Sequence, residues 1–397
     1  MTTSRPATLL DICEAIIDCE HKTAPTQDWG YPSIRTPNIG KGRLILDGVN
    51  RVSEETYREW TRRAVPRAGD VILAREAPVG NVAIIPLGLD LCLGQRTVLI
   101  RPNRAAVSPS YLTFLLLGNE LQSRLRAPTN GATVSHLNVA DIRGLPLPTL
   151  PPLPTQRKIA AILSAYDDLI ENNTRRIAIL EAMARALYRA WFVDFRFPGH
   201  EGVPMVASNL GTIPATWDIG RLDEALVLQR GFDLPSHQRE AGGVPIYAAT
   251  GVTGYHSQAR VTGPGVVTGR SGSLGKVMYV GEDYWPLNTV LWSKEFRRSS
   301  PCHAQYLLSE IDLAGYNAGA AVPTLNRNDL HSRLIPLPPR SLVEAFDQFC
   351  RPLMDEKATL NEANGVLRRT RDLLLPKLVS GEVDVSGLDI AGVDDGG

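Results

Sequence analysis

Leu147 to Phe197 reads LPTLPPLPTQRKIAAILSAYDDLIENNTRRIAILEAMARALYRAWFVDFRF, and the organisation of the chain follows from it. A proline-rich entry (Pro151, Pro152, Pro154) gives way to a run with neither Gly nor Pro from Thr155 to Phe197. Proline is tolerated where a helix begins, because the first N–H groups have no intrahelical partner. Thr155 is the expected N-cap. Beyond it the positions Ile159, Leu163, Tyr166, Ile170, Asn173, Ile177, Leu180, Ala184, Leu187 and Trp191 step by four and three, which is a heptad seam. About 37 residues rising about 1.5 Å each make a rod of about 55 Å. Such a helix needs a partner for its apolar stripe.

A second run supplies one. Pro336-Leu337-Pro338-Pro339 opens it, and Phe346, Leu353, Leu360, Leu367 and Leu374 recur every seven residues. Cys350, Lys357, Asn364 and Arg371 fill the alternate slots, so this seam is weaker. Pro352 is expected to kink the helix or delay its start. The predicted fold is mixed α/β, with two globular domains, each followed by a long helix, and the helices paired as an antiparallel coiled coil. The expected boundaries are 1–152 and 198–338 for the domains, 153–197 and 339–380 for the helices, and 381–397 for an acidic flexible tail.

Hydrophobic residues make up 43% of the 397, enough for two or three cores. Lys+Arg and Asp+Glu both total 42, so no overall basic charge announces a polyanion. Residues 1–154 carry 17 basic and 14 acidic residues, whereas 339–397 carry 7 and 11, so the acid excess sits in the tail. Cys13, Cys19, Cys92, Cys302 and Cys350 show no paired spacing, which argues against a disulfide framework or zinc knuckle. Cys302-His303 reads as packing. The absence of a signal-type or membrane-length apolar run predicts a cytoplasmic chain without membrane contact.

The first domain reads as strands at Val71 to Ile85, joined by a turn around Pro78 and Gly80, and another at Thr97 to Ile100. Leu9 to Ile17 could be a short strand or a turn of helix. Helices are expected at Ser53 to Arg63, at Ser108 to Leu125 with Tyr111, Phe114, Leu115 and Leu121 on one face, and at Val139 to Ile142. Residues 201–338 repeat the plan. Val266 to Val280 aligns with Val71 to Ile85, pairing Arg75 with Arg270 and Gly80 with Gly275. Gly131 to Asn138 aligns with Gly319 to Asn326, and Pro146-Leu-Pro148 with Pro336-Leu-Pro338. A period of about 190 residues is too long for a solenoid; it is a duplicated domain-plus-helix module. Two such copies on antiparallel helices would present similar surfaces about a pseudo-twofold axis, a geometry suited to two half-sites on duplex DNA.

Leu153-Pro-Thr-Gln156-Arg157-Lys-Ile159-Ala160-Ala-Ile162-Leu163, continuing through Asp167-Asp168 and Leu180 to Leu187 and on to Trp191-Phe-Val-Asp-Phe195, resembles the central region of the DNA-specificity subunit of type I restriction–modification enzymes. Leu374-Leu-Pro-Lys377-Leu378-Val-Ser-Gly381-Glu382-Val383 resembles the close of that family's C-terminal helix. The resemblance implies two target-recognition domains, each reading half of a split sequence in double-stranded DNA. It implies that the paired helices are a spacer and dock methyltransferase (modification) subunits, two of them, together with restriction/motor subunits. It places S-adenosylmethionine on the modification subunits and ATP with Mg on the motor, with no cofactor in this chain. One departure is Val343-Glu344 where the first helix has Gln156-Arg157, so the helices are not expected to dock partners equally.

Catalytic motifs are missing. Gly269 to Val277 departs from a phosphate loop, with Arg270 at the first position of the expected spacing and Val277 after Lys276, and reads as a turn between strands. No metalloprotease, nucleophile-elbow or amino-methyltransferase signature is present. Asp355-Glu356-Lys357 reads as solvated helix charge. DNA contact must then come from cations, amides and hydroxyls. The candidates are Lys22, Arg35, Lys41, Arg75, Gln95, Arg96, Ser135 and His136 in the first domain. In the second they are Arg230, Tyr255, His256, Gln258, Arg260, Arg270, Ser271, Lys276, Asn288 and Thr324. Arg75 and Arg270 lead, because they share a repeat position beside a turn; His21, His200 and His331 read as structural. The competing reading from another class is a coiled-coil scaffold that touches no nucleic acid. A third, an NTPase or transferase, lacks its motif.

Overall fold

The computed structural model describes residues 7–127, 136–316 and 324–390. A 3-10 turn (Leu9–Ile12) leads into β1 (Cys13–Asp18), β2 (Tyr31–Ile34), β3 (Arg51–Val52), α1 (Glu54–Trp60), β4 (Val71–Ala74), β5 (Val82–Ile84), β6 (Cys92–Leu93) and β7 (Thr97–Pro102). Helices α2 (Pro109–Leu117), α3 (Asn119–Arg126) and α4 (Val139–Arg143) precede the long α5 (Leu153–Tyr188), which ends in a π turn at Arg189–Val193. A hairpin of β8 (Met205–Ser208) and β9 (Gly211–Pro214) follows, then β10 (Asp218–Arg221), α6 (Leu222–Ala225), β11 (Leu226–Arg230), β12 (Val244–Ala248) and β13 (Gly251–His256). The chain continues with β14 (Gly265–Gly269), β15 (Val277–Val280), β16 (Trp285–Pro286), β17 (Val290–Phe296), α7 (Pro301–Ser309), α8 (Arg327–His331), β18 (Leu334–Leu337) and the long α9 (Arg340–Ser380).

Two compact units result. Unit 1 comprises Met1–Glu171 with Gly365–Gly397, and unit 2 comprises Asn172–Asn364. Each takes part of both long helices.

Unit 1 is built on a four-stranded sheet of order β1-β7-β4-β5. Its strands are antiparallel, with Val71 opposite Ile100 and Ala74 opposite Thr97. Both faces are covered, which is why these strands read as apolar runs rather than as alternation. Val71, Leu73, Val98 and Ile100 pack with α2 residues and with Ile159, Leu163 and Leu378 of the long helices. The other face (Ile72, Ala74, Leu99) packs with Ile34 and Leu93 of the small sheet β3-β2-β6.

Unit 2 repeats this as β11-β17-β14-β15, with β13-β12-β16 beside it. Val266 and Leu291 face the helix-side core, while Val267 and Val290 face the small sheet. That core gathers Tyr188, Trp191 and Phe192 around the fully buried Phe346. Such aromatic pairs add roughly 0.5–1.5 kcal/mol each beyond their area burial.

Within each unit the helix segments pair antiparallel. In unit 1, Asp167 meets Arg371, and Lys158 Nζ donates to the Ser386 and Leu388 carbonyls, 2.7 Å each. In unit 2, Asn173 donates to Asn364 at 3.0 Å, Lys357 meets Glu181 at 2.6 Å, and Arg176 meets Glu356. The polar slots of the weaker seam are thus cross-helix partners. Asn364 is 2% exposed and Asn173 half-buried, a polar pair of the kind that fixes register. Ile159, Leu163, Ala184, Trp191, Phe346 and Leu360 are buried; Tyr166, Ile170, Ile177, Leu180, Leu187, Leu353, Leu367 and Leu374 are half-buried.

Four expectations change. Helix α5 starts at Leu153, so Thr155 is not its N-cap: Pro152 and Pro154 sit where a missing N–H costs no hydrogen bond. Helix α9 runs through Pro352 without a delayed start, because packing along its length outweighs one lost backbone bond. Ser108 to Leu125 is two helices, since Gly118 adopts an extended conformation, closing α2 and opening α3. Residues 381–390 do not form a free tail: Val385 is 2% exposed in the unit 1 core, and Lys158 holds the Ser386 and Leu388 carbonyls that follow it.

Candidate nucleic-acid interface

Strand β1 ends at Asp18 and β4 at Ala74 beside the start of β7, so one end of the unit 1 sheet is a rim of loop residues. Arg75 is the first residue beyond β4. Its N–H donates to the Arg96 carbonyl at 2.9 Å, and its carbonyl accepts from Leu137 N–H at 3.0 Å. Unit 2 reproduces both bonds: Arg270 N–H donates to the Thr289 carbonyl, and Leu325 N–H to the Arg270 carbonyl, each at 2.8 Å. Among the described residues, the rims collect Arg75, Arg96 and His136 in one copy, and Arg230, Arg270, Ser271, Asn288 and Thr324 in the other. Ser271 and Thr324 form a β-bridge.

The side chains of the two arginines differ. Arg75 is 5% exposed. Its Nε donates to the Leu137 carbonyl, Nη1 to Asp18 Oδ1 and Nη2 to His136 Nε2, all at 2.7 Å. A guanidinium can only donate, so His136 Nε2 accepts. The imidazole proton then sits on Nδ1 and goes to Glu76 Oε1 at 2.7 Å. Glu76 Oε2 takes the Arg96 Nε–H at 2.8 Å, and Asp18 Oδ2 lies 3.0 Å from His21 Nε2. The unit 1 rim is a closed relay of alternating donors and acceptors. Arg270 is half-buried and makes one long bond, Nη1 to the Asn288 carbonyl at 3.4 Å. Nearby, Arg230 is 3.9 Å from Asp233, and Asn288 Nδ2 donates to the same carboxylate.

The other candidates scatter. Gln95 Nε2 donates to Thr23 Oγ1 at 3.1 Å, and Lys22 is exposed on the loop after β1. Arg35 lies against Gly94, where an added Cβ would meet its Cγ at 2.5 Å. Lys41 lines a cavity of about 360 Å³ with Phe114, Gln122 and Arg371. Ser135 lies outside the described residues. Tyr255 is 59% exposed on β13 and Gln258 is exposed beyond it. Arg260 stacks over Phe232, 4.8 Å from the ring centroid. His256 turns inward, 5% exposed, with Nδ1 accepting the Glu240 N–H at 3.1 Å and its ring edge-on to Trp285. Lys276 Nζ donates to the Thr250 carbonyl at 2.8 Å.

Sequence reasoning passed over Asp18 and Glu76, because it sought cations and amides only. Glu76 directly following Arg75 at a strand end was the available signal. Gln156 was read by resemblance as part of a docking motif. It is 1% exposed, its Oε1 accepting the Ser108 N–H and its Nε2 donating to the Pro151 carbonyl, both at 2.9 Å. In unit 2 the carboxylate of Asp347 takes that place, bonded to the hydroxyl of Ser300. Ser108 and Ser300 cap α2 and α7, so each long helix grips the cap of the helix beside it. Among the described residues no group of His, Cys, Asp and Glu could hold a metal, and no helix is long and apolar enough to cross a membrane.

Comparison with known proteins bears on these rims. The family described as type I restriction modification DNA specificity domain matches residues 6–182. The chain is 27% identical over 372 residues to the type I restriction enzyme MjaIX specificity subunit of Methanocaldococcus jannaschii, covering 87% of this chain and 84% of that protein. It is 32% identical over 173 residues to the HindI specificity subunit of Haemophilus influenzae, covering 42% and 37%. In fold it is similar to the crystal structure of the type I restriction-modification S subunit from M. genitalium, with a TM-score of 0.66 at 17% identity, covering 94% of this chain and 96% of that one.

Proposed function

We propose that the chain is a type I restriction–modification DNA-specificity protein, the non-catalytic subunit that selects a bipartite DNA sequence, one half-site for each copy of its module, a reading supported by the family match over residues 6–182 and by the MjaIX relative. The observation that carries this is the repeated rim. Two sheets of the same strand order present Arg75 and Arg270 at one backbone position, each tied to a loop ahead of α4 or α8. Duplication of a surface bearing cations, amides and hydroxyls suits two short stretches of duplex, since phosphate contacts position a protein and base-edge contacts specify sequence. A scaffold without nucleic-acid binding is not favoured, because the matching family is one of DNA specificity.

On this reading the paired helices dock modification subunits, two per chain, and restriction subunits. S-adenosylmethionine and ATP with Mg then act on those partners. Gln156 contributes from inside, by fixing the α2 cap, rather than as a contact. Arg157 beside it is exposed and is the residue of that pair open to a partner.

The test is to co-express the chain with the modification subunit of its system and map methylated adenines across the host genome. Two short half-sites with a fixed gap are expected, and exchange of residues 201–338 for those of a relative should change one half only. A stable complex that leaves no sequence-specific methylation would overturn the reading.

A further inference from the structure

The family reading treats the two copies alike; their side chains do not. Arg75 has three of its groups engaged at 2.7 Å by Leu137, Asp18 and His136, and it is 5% exposed. A guanidinium carries five N–H donors in a fixed fork. Freeing that of Arg75 for a base would leave Asp18 without its guanidinium and His136 Nε2 without a donor. Arg270 stands at the same backbone position, held through its N–H and carbonyl as firmly as Arg75. Yet among the described residues its guanidinium spends one donor, on a 3.4 Å bond. Its base is rigid and its fork is uncommitted, the combination wanted for bidentate readout.

Arg270 also has suitable neighbours. Arg230 at the end of β11 is exposed, and the exposed Arg260 sits over the Phe232 ring. Both present charge outward, where phosphates run. Arg270 is half-buried between the end of β14 and the start of β17. A half-buried guanidinium at the same sheet end as the exposed Arg230 is better placed for a base edge than for the backbone. The acceptor pair that matches its fork is O6 and N7 of guanine in the major groove.

We infer that Arg270 reads a guanine in the half-site of the second copy, whereas Arg75 is a positioning residue that holds the first rim together and touches no base. This rests on the DNA-specificity reading above and divides the labour within it.

The test uses the full-length chain in complex with its modification subunits and a library of randomised DNA duplexes. Bound duplexes are sequenced for wild type, R270K, R270A and R75M, and binding is repeated across a salt series. Wild type should select a split motif with a guanine in the half that residues 201–338 determine. R270K keeps the charge and loses the fork, so preference at that one base pair should fall by about tenfold or more while the other half is untouched. R75M should weaken the first half-site as a whole, with no single position relaxed. Melting temperatures separate misfolding from lost readout, and R270K stands in if R270A fails to fold. A wild-type motif left intact by R270K, with only a shallower salt dependence in R270A, would make Arg270 a phosphate contact and overturn the inference. So would relaxation of a single base by R75M. Selection of no motif by wild type would remove the underlying reading, and the inference with it.

Discussion

At the first rim, Arg75 is drawn inward by a carboxylate, a carbonyl and an imidazole; at the second, Arg270 sits on the same two backbone hydrogen bonds and is held by one long contact. Duplication preserved the strand order and the latch between the arginine and the following Leu-Asn, because backbone bonds tolerate almost any side chain. It did not preserve the groups around the guanidinium. The same divergence recurs at the helix cap, with the neutral Gln156 in one copy and the charged Asp347 in the other. It recurs within α2 and α7, where Tyr111 and His303 each follow a Ser-Pro cap and are both buried. A shared fold therefore says little about which copy spends a residue on stability and which keeps it for contact.

The comparison is broken most directly at the arginines. Replacing Arg75 with Ala strips three hydrogen bonds and leaves Asp18 without its guanidinium; with Asp18 about a quarter exposed, the expected loss is about 2–3 kcal/mol. R270A should stay within about 0.5 kcal/mol, as surface changes do. Urea denaturation of both variants checks this, and equal losses would erase the asymmetry.

A smaller effect is expected at the cap grip. Q156A leaves the buried Ser108 N–H and the Pro151 carbonyl without their partner, at a cost of about 1–3 kcal/mol. The loss should concentrate in unit 1. Hydrogen exchange of α2 amides, compared with those of α7, would show whether the grip is local.

A third effect is negligible near neutral pH and grows on acidification. Burial lowers His303 from its ordinary value to about 3, so the folded chain keeps this imidazole neutral while the unfolded chain protonates it. The stability it leaves intact above about pH 6.5 is then lost as pH falls toward 3, by up to about 1.4 kcal/mol per pH unit. Tyr111 at the matching place in unit 1 does not titrate there. Whatever the melting-temperature gap between wild type and H303Q at pH 8, it should move in favour of the variant between pH 7 and pH 5. A constant gap would mean that the buried imidazole takes no part in acid unfolding.

What the amino-acid order determined alone was whatever depends on local period and on repetition. Heptad spacing from Ile159 to Trp191 and from Phe346 to Leu374 announced two long helices. Internal alignment of Val71–Ile85 with Val266–Val280 announced two copies of one sheet, and polar slots marked the second seam as the weaker. Tertiary structure decided what depends on groups far apart in the chain. Only folding brings Asp18, Arg75 and His136 together, turns His256 and Gln156 inward, and seats Val385 in a core that its acidic, glycine-rich surroundings gave no reason to expect. Periodicity is written into neighbouring residues, and so can be read from them. Whether an arginine is a strut or a probe depends on which carboxylate arrives beside it, and that is settled only when the strands are in place.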